Sequence, residues 1–126
     1  MRVERELMRG AGPVAVLKLL EQRAMYGYEL IEQLDSQTQG VLAMGQSTLY
    51  PLLYNLEAKR LIAGSWREAD SGRPRKYYAL TAKGKKHLAG ETRQWRQVAQ
   101  AMTSLGVLTG TMEPGTVRSA AAAVPA

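Results

Sequence analysis

Apolar residues recur along the first hundred positions with two different periods. From 46 to 57, QSTLYPLLYNLE places Leu49, Leu52, Leu53 and Leu56 at i, i+3, i+4 and i+7, one face of a helix. Residues 4–23 contain the nearly continuous apolar block VAVLKLL (14–20), which predicts a buried helix. Pro13 fits the first turn of that helix, where a missing N–H costs little. The segment before it, with Gly10 and Gly12, either continues the helix or forms an arm. Gly27 opens a second helix, YELIEQLDSQ, with Leu30, Ile31 and Leu34 inward and Glu29, Glu32, Gln33 and Asp35 outward. SQTQGVLAMG (36–45) breaks the pattern with two glycines and reads as a turn or loop. Ser47 is the expected N-cap of the third helix, which ends near Arg60 and holds Pro51 at the end of its first turn.

The period then changes. LIAGSWREA and RKYYAL, separated by DSG, are short strand-like runs around a turn, hence a β-hairpin. Tyr78 and Leu80 are expected on one face and Tyr77 on the other, with one tyrosine in the core; Trp66 is expected to serve sheet packing. Thr81 caps a long fourth helix reaching roughly to Leu105. Along it Leu88, Trp95 and Met102 are seven apart, and Val98 and Leu105 each follow three residues later, a short heptad seam that Glu91 interrupts. A monomeric domain does not need such a seam, so Leu88, Trp95, Val98, Met102 and Leu105 are the expected dimer interface. The tail 106–126 is Gly, Thr, Pro and Ala with almost no charge and is expected to be disordered.

The order helix, helix, helix, hairpin, long helix predicts a mainly α protein with a small β-hairpin (α+β). It is a winged helix-turn-helix over residues 1–81 followed by a C-terminal dimerisation helix over 82–105. In that geometry the third helix enters the DNA major groove and the hairpin tip lies on the backbone or in the minor groove.

Composition narrows the function. The chain has 126 residues, enough for one domain, and a net charge of +6, which favours a polyanionic partner. There is no Cys and one His, His87, so thiol chemistry, disulfides and cysteine-ligated zinc are excluded and no metal site or cofactor is expected. No nucleophile beside a base, phosphate loop or carboxylate pair points to an enzyme. No apolar run is long enough to cross a membrane, and the N-terminus MRVERELMRG lacks the apolar core of a signal peptide, so the expected location is cytoplasmic.

The polar face of the third helix is unusual for a solvated surface: Ser47, Thr48, Tyr50, Tyr54 and Asn55 instead of Glu and Lys. Hydroxyls there can bond phosphates or base edges, and Asn suits an adenine edge. The competing reading packs Tyr50 or Tyr54 against the hairpin. SGRPRKYY puts Arg73, Arg75 and Lys76 within four residues of the hairpin tip, with Asp70 as the acid at the tip; Arg60, Arg67 and Lys59 add undistinctive charge. Three cations on a tight turn favour a polyanion.

YGYELIEQL, STLYPLLYNLEAKRLI and GRPRKYYALTAKG, in that order, resemble the PadR family of bacterial transcriptional regulators over about residues 7–105. The single long C-terminal helix is similar to the family's shorter branch, in which that helix builds the dimer. The departures are Pro13 and the Ala-rich tail. The resemblance implies a homodimeric repressor of an operator in double-stranded DNA, in some members responsive to phenolic acids or flat aromatic drugs. It also implies a second reading of Trp95, as a platform on which a small aromatic effector stacks, with Met8, Ala11, Val98, Ala99 and Met102 lining the pocket. Two alternatives stay open: a winged helix used as a protein-interaction module, and a ligand-independent DNA-binding regulator.

Overall fold

The computed structural model describes residues 1–68 and 70–109. In chain order the elements are α1 (Arg5–Gln22), β1 (Met25–Tyr26), α2 (Gly27–Gln37), α3 (Gln46–Ala58), β2 (Ile62–Glu68), β3 (Pro74–Leu80) and α4 (Ala82–Leu105). Two compact units divide the chain, Met1–Ala89 and Gly90–Ala126, so the first two turns of α4 belong with the winged-helix unit.

Burial follows the apolar periods. Val16, Leu17 and Leu20 of α1 meet Leu30 and Leu34 of α2, Leu49, Leu53 and Leu56 of α3, and Ile62 and Tyr78 of the sheet in one core. Each such leucine, fully withdrawn from water, contributes roughly 1.5–3 kcal/mol. Leu52, expected in the buried stripe, lies at its flank and is only partly buried. Pro13 is not in a first turn. The helix begins at Arg5 and runs through Gly10, Gly12 and Pro13, so the segment before the proline continues the helix.

The sheet has three antiparallel strands in the order β1-β3-β2. The two-residue strand β1, which was not expected, pairs Met25 with Tyr78 and Tyr26 with Tyr77. Ile62 opposes Leu80, Gly64 opposes Tyr78 and Arg67 opposes Arg75. Side chains alternate across a sheet, so Tyr78 faces the core and Tyr77 the outside, the arrangement anticipated for that pair.

The joint between α3, the hairpin and α4 is tightly specified. Arg60 N–H donates to the Glu57 carbonyl at 2.9 Å and Leu61 N–H to the Leu56 carbonyl at 3.0 Å, a Schellman closure of α3. Its left-handed residue is Arg60, at φ 63°, where glycine is usual. The Leu61 carbonyl then accepts from Thr81 N–H (3.1 Å). The Thr81 hydroxyl shares its proton between the Arg60 and Leu61 carbonyls (2.8 and 3.0 Å) and accepts from Gly84 N–H at 2.9 Å, capping α4 as expected. A Cβ on Gly84 would lie 2.0 Å from the Leu61 oxygen, so only glycine lets α4 seat there. One turn on, Leu88 enters the core at 2% exposure. This corrects its assignment to a dimer seam: it has no surface left to offer a partner.

In the second unit α4 continues and ends with Gly106 N–H donating to the Thr103 carbonyl at 3.0 Å. Its side chains Trp95, Val98, Met102 and Leu105 are exposed. From residue 110 onward the expected disordered tail lies outside the described residues.

Urea denaturation at fixed protein concentration checks the joint. Gly84→Ala is expected to cost about 3 kcal/mol, because the clash is with backbone and cannot be relieved by a rotamer, and Thr81→Ala about 1 kcal/mol. Arg60→Gly is expected to stabilise by roughly 0.5–1 kcal/mol by relieving the left-handed backbone.

Candidate nucleic-acid interface

The third helix starts at Gln46 with Gly45 as its N-cap, so Ser47 is the second helical residue and not the cap. Pro51 accordingly lies within the helix, and the N–H it lacks is the one that would meet the Ser47 carbonyl. With Leu49, Leu53 and Leu56 turned to the core, Ser47, Thr48, Tyr50, Tyr54 and Asn55 all lie exposed. Tyr54 is 77% exposed, which decides against its packing on the hairpin. The helix carries one charge, Glu57, and that charge is neutralised. Its Oε1 lies 3.2 Å from Lys76 Nζ, and its Oε2 accepts from Gly64 N–H at 3.3 Å.

That pair corrects the reading of Lys76 as a wing cation offered to a polyanion. Half-buried and bound to Glu57, it ties β3 to α3. The ammonium also lies 5.4 Å from the centre of the Tyr78 ring. Burial pushes the Tyr78 phenol above its ordinary value, the Lys76 charge opposes this, and Glu57 and Tyr50 add to it.

On the outer face of the sheet four side chains alternate. The Arg67 guanidinium sits 3.8 Å from the centre of Tyr77, and Arg75 sits 4.4 Å from the centre of Tyr26. The two tyrosines meet edge to face at 5.3 Å. Arg67 and Arg75 are direct cross-strand partners, a like-charge pair that by itself is unfavourable. The aromatic faces hold both guanidinium groups in place. Arg75 Nε is buried with no hydrogen-bond partner among the described residues. Arg73 is exposed at the tip, where Glu68, opposite Pro74, is a second acid besides Asp70.

Between this wing and α3 lies an open groove of about 440 Å3, lined by Tyr28, Tyr50, Trp66, Arg73 and Arg75 among others. Trp66, expected to pack in the sheet, is 70% exposed and lines the groove instead: its strand face extends past the edge of the core. Tyr50 reaches the start of α2 because Gly27 is there; a Cβ at that position would lie 2.3 Å from the Tyr50 hydroxyl oxygen.

The structure therefore brings Ser47, Thr48, Tyr50, Tyr54 and Asn55 onto one exposed face and sets Arg73 and Arg75 beside it. Sequence reasoning missed Tyr26, Tyr28 and Arg67. The alternation of Arg75 and Tyr77 on β3, with Arg67 opposite on β2, was a readable signal; the part of Tyr26 depends on β1, which is too short to read. Of the proposed ligand residues, Met8 and Ala11 belong to the first unit, where Met8 packs against the core, and Trp95, Val98, Ala99 and Met102 belong to the second. Among the described residues no cluster of metal-ligating side chains occurs, and no helix is long and apolar enough to cross a membrane.

Residues 16–90 match the family model described as the transcriptional regulator PadR-like family. The chain belongs to that family. A Streptococcus transcriptional regulator is similar in structure, with a TM-score of 0.73 at 31% identity, covering 82% of this chain and 99% of that one. A PadR-family transcriptional regulator from Eggerthella lenta has a TM-score of 0.69 at 34% identity over 79% of this chain and 85% of its own. A PadR-like regulator from Bacillus cereus has a TM-score of 0.72 at 28% identity, covering 79% and 95%. An uncharacterised protein from Lysinibacillus sphaericus is 29% identical over 98 residues, 78% of this chain and 90% of the relative. This PadR-family protein is thus a DNA-binding transcriptional regulator and not an enzyme.

Salt titration of duplex binding separates the cations. Arg73→Ala and Arg75→Ala are each expected to flatten the slope of log affinity against log salt by about 0.9 per protomer. Lys76→Met is expected to leave the slope near wild type and lower stability by up to about 1 kcal/mol, since its charge is already matched by Glu57. Stability should also fall as pH rises above 10. There the unfolded Tyr78 phenol releases its proton while the folded one, its pKa raised, keeps it; Tyr78→Phe should lessen that fall in a pH series of urea midpoints.

Proposed function

We propose that this PadR-family protein is a cytoplasmic homodimeric repressor that binds a two-fold operator through α3 and the wing. Residues 1–81 act as the DNA-binding part and residues 82–105 as the dimerisation helix. The observation that supports the dimer is the exposed stripe of Trp95, Val98, Met102 and Leu105 on α4. These positions follow i, i+3, i+7 and i+10 and so form one apolar seam, the pattern by which helices pair. Two copies of the chain would set two α3 helices on half-sites one or more helical turns apart. Ser47, Thr48, Tyr50, Tyr54 and Asn55 would meet bases and phosphates, and Arg73 and Arg75 the backbone.

Release by a small aromatic effector is the regulatory part of this reading. Two Trp95 rings related by the dimer axis would stack on a flat molecule, with Val98, Ala99 and Met102 around it. Such a molecule acts only by differential affinity for two arrangements of the dimer.

Fluorescence anisotropy against a labelled duplex from upstream of the protein's own gene, beside a scrambled duplex, tests the operator reading. Preferential, salt-sensitive binding to the upstream duplex is expected. Equal binding to both would remove sequence specificity, and no binding to either at low salt would favour a protein-interaction role. Leu105→Asp should weaken dimerisation at least about tenfold, some 1.4 kcal/mol, in sedimentation; a variant that stays a stable dimer refutes the seam. A flat aromatic compound that releases the wild type from DNA should leave Trp95→Ala bound.

A further inference from the structure

On the flank of α3 away from the wing, a half-open groove of about 650 Å3 runs between the start of α1 and the turn that precedes α3. Its floor is apolar, with Met8, Met44 and Leu52; its rim carries Arg2, Arg5 and Arg9, and Thr48 of α3 closes it. Arg5 and Arg9 are four residues apart on α1 and so share a face. The residues ahead of the helix are tied down: Val3 N–H donates to the Val41 carbonyl at 3.0 Å, which fixes Arg2 beside the turn leading into α3. Among the described residues no carboxylate lines this groove. Glu6 lies 3.7 Å from Arg9 in a well-exposed pair, and Arg2 and Arg5 have no ion pair among the described residues.

We propose that Arg2 and Arg5, with Arg9 behind them, bind phosphates of the DNA strand flanking the stretch that α3 reads, on the side opposite the wing. The proposal rests on the DNA-binding reading of α3. Two features carry it. The first is charge: Arg2 just ahead of the helix and Arg5 and Arg9 on its first turns line one groove, only Arg9 of the three has an ion pair among the described residues, and a polyanion relieves their mutual repulsion while the apolar floor carries their alkyl stems. The second is continuity. Thr48 belongs both to the exposed face of α3 and to this groove, so a strand laid along that face passes over the arginine rim. The reading helix, its one charge cancelled by Lys76, is then flanked by cations on both sides, Arg73 and Arg75 on one and the start of α1 on the other.

The test uses the full chain in duplex-binding titrations between about 50 and 200 mM salt, the range in which phosphate contacts weigh most. Wild type, Arg2→Gln/Arg5→Gln, Arg2→Lys/Arg5→Lys and Arg75→Ala are compared on the upstream and scrambled duplexes. The glutamine variant is expected to flatten the salt slope by about 2 per protomer and to weaken both duplexes alike. The lysine variant should keep the wild-type slope. Arg2→Gln alone, outside any helix, should flatten it by about 1 and guards against a folding defect in the double variant. An unchanged slope in the glutamine variants, with Arg75→Ala flattened as expected, overturns the contact at the start of α1 and leaves the DNA reading standing. A wild type that binds neither duplex at low salt overturns both.

Discussion

One backbone oxygen, that of Leu61, holds the three functional parts together. It follows the Schellman closure of α3, opens β2, accepts the backbone N–H of Thr81 at the end of β3, and has the Cα of Gly84 pressed against it. The reading helix, the wing and the long helix therefore meet at a point where no side chain fits. The Thr-x-x-Gly spacing at residues 81–84 has a direct physical origin here. The hydroxyl caps the helix one turn before the glycine clears the carbonyl. A shift of the end of the hairpin relative to the end of α3 would break three hydrogen bonds at once, so these bonds, the Lys76–Glu57 pair and the shared core together set the wing against α3.

Charge is handled differently on the two faces of the sheet. On the core face Lys76 and Glu57 cancel, which removes the single negative charge of α3 and leaves Tyr78 buried beneath the pair. The outer face concentrates like charge: Arg67 and Arg75 stand side by side and are held by Tyr77 and Tyr26 in place of acids. Aromatic partners orient a guanidinium without neutralising it. Carboxylate partners would have satisfied the arginines and ended their attraction for phosphate. Among the described residues the buried Arg75 Nε has no hydrogen-bond partner, so the ring of Tyr26 is the contact that orients this guanidinium.

Where the sequence was legible, the signal was periodic and local. The leucine stripe of α3, the hairpin, the Thr81 cap and the alternation of Tyr77 and Tyr78 are all short-range patterns, and the structure carries them. The heptad count failed at Leu88 because periodicity reports which residues share a helix face and not what that face meets; the first step of the seam is consumed by the protomer's own core. Pro13 and Ser47 failed for a related reason. Both were placed by local preference, whereas α1 runs through its proline and α3 begins two residues earlier on a glycine. Strand β1 has two residues and is defined wholly by its partner Tyr77–Tyr78, so no local pattern announces it. Trp66 reads as a sheet-packing residue of the first strand, but the strand that bears it extends past the core.

A DNA-binding helix whose contacts were mainly to phosphates would bind every sequence, because phosphate attraction carries no base information. Here α3 exposes hydroxyls, an amide and two tyrosines, and its sole charge is turned aside and cancelled. Its positive neighbours stand off the helix, on the wing and at the start of α1. On the proposed reading, base discrimination and electrostatic attachment fall to different elements. An isolated α3 would bind weakly, and an isolated wing would bind without discrimination. The hydrogen-bonded joint at Leu61 ties the end of α3 to the base of the hairpin, and on the proposed reading the two would meet one duplex in fixed register, the condition under which uncharged groups can select among sequences.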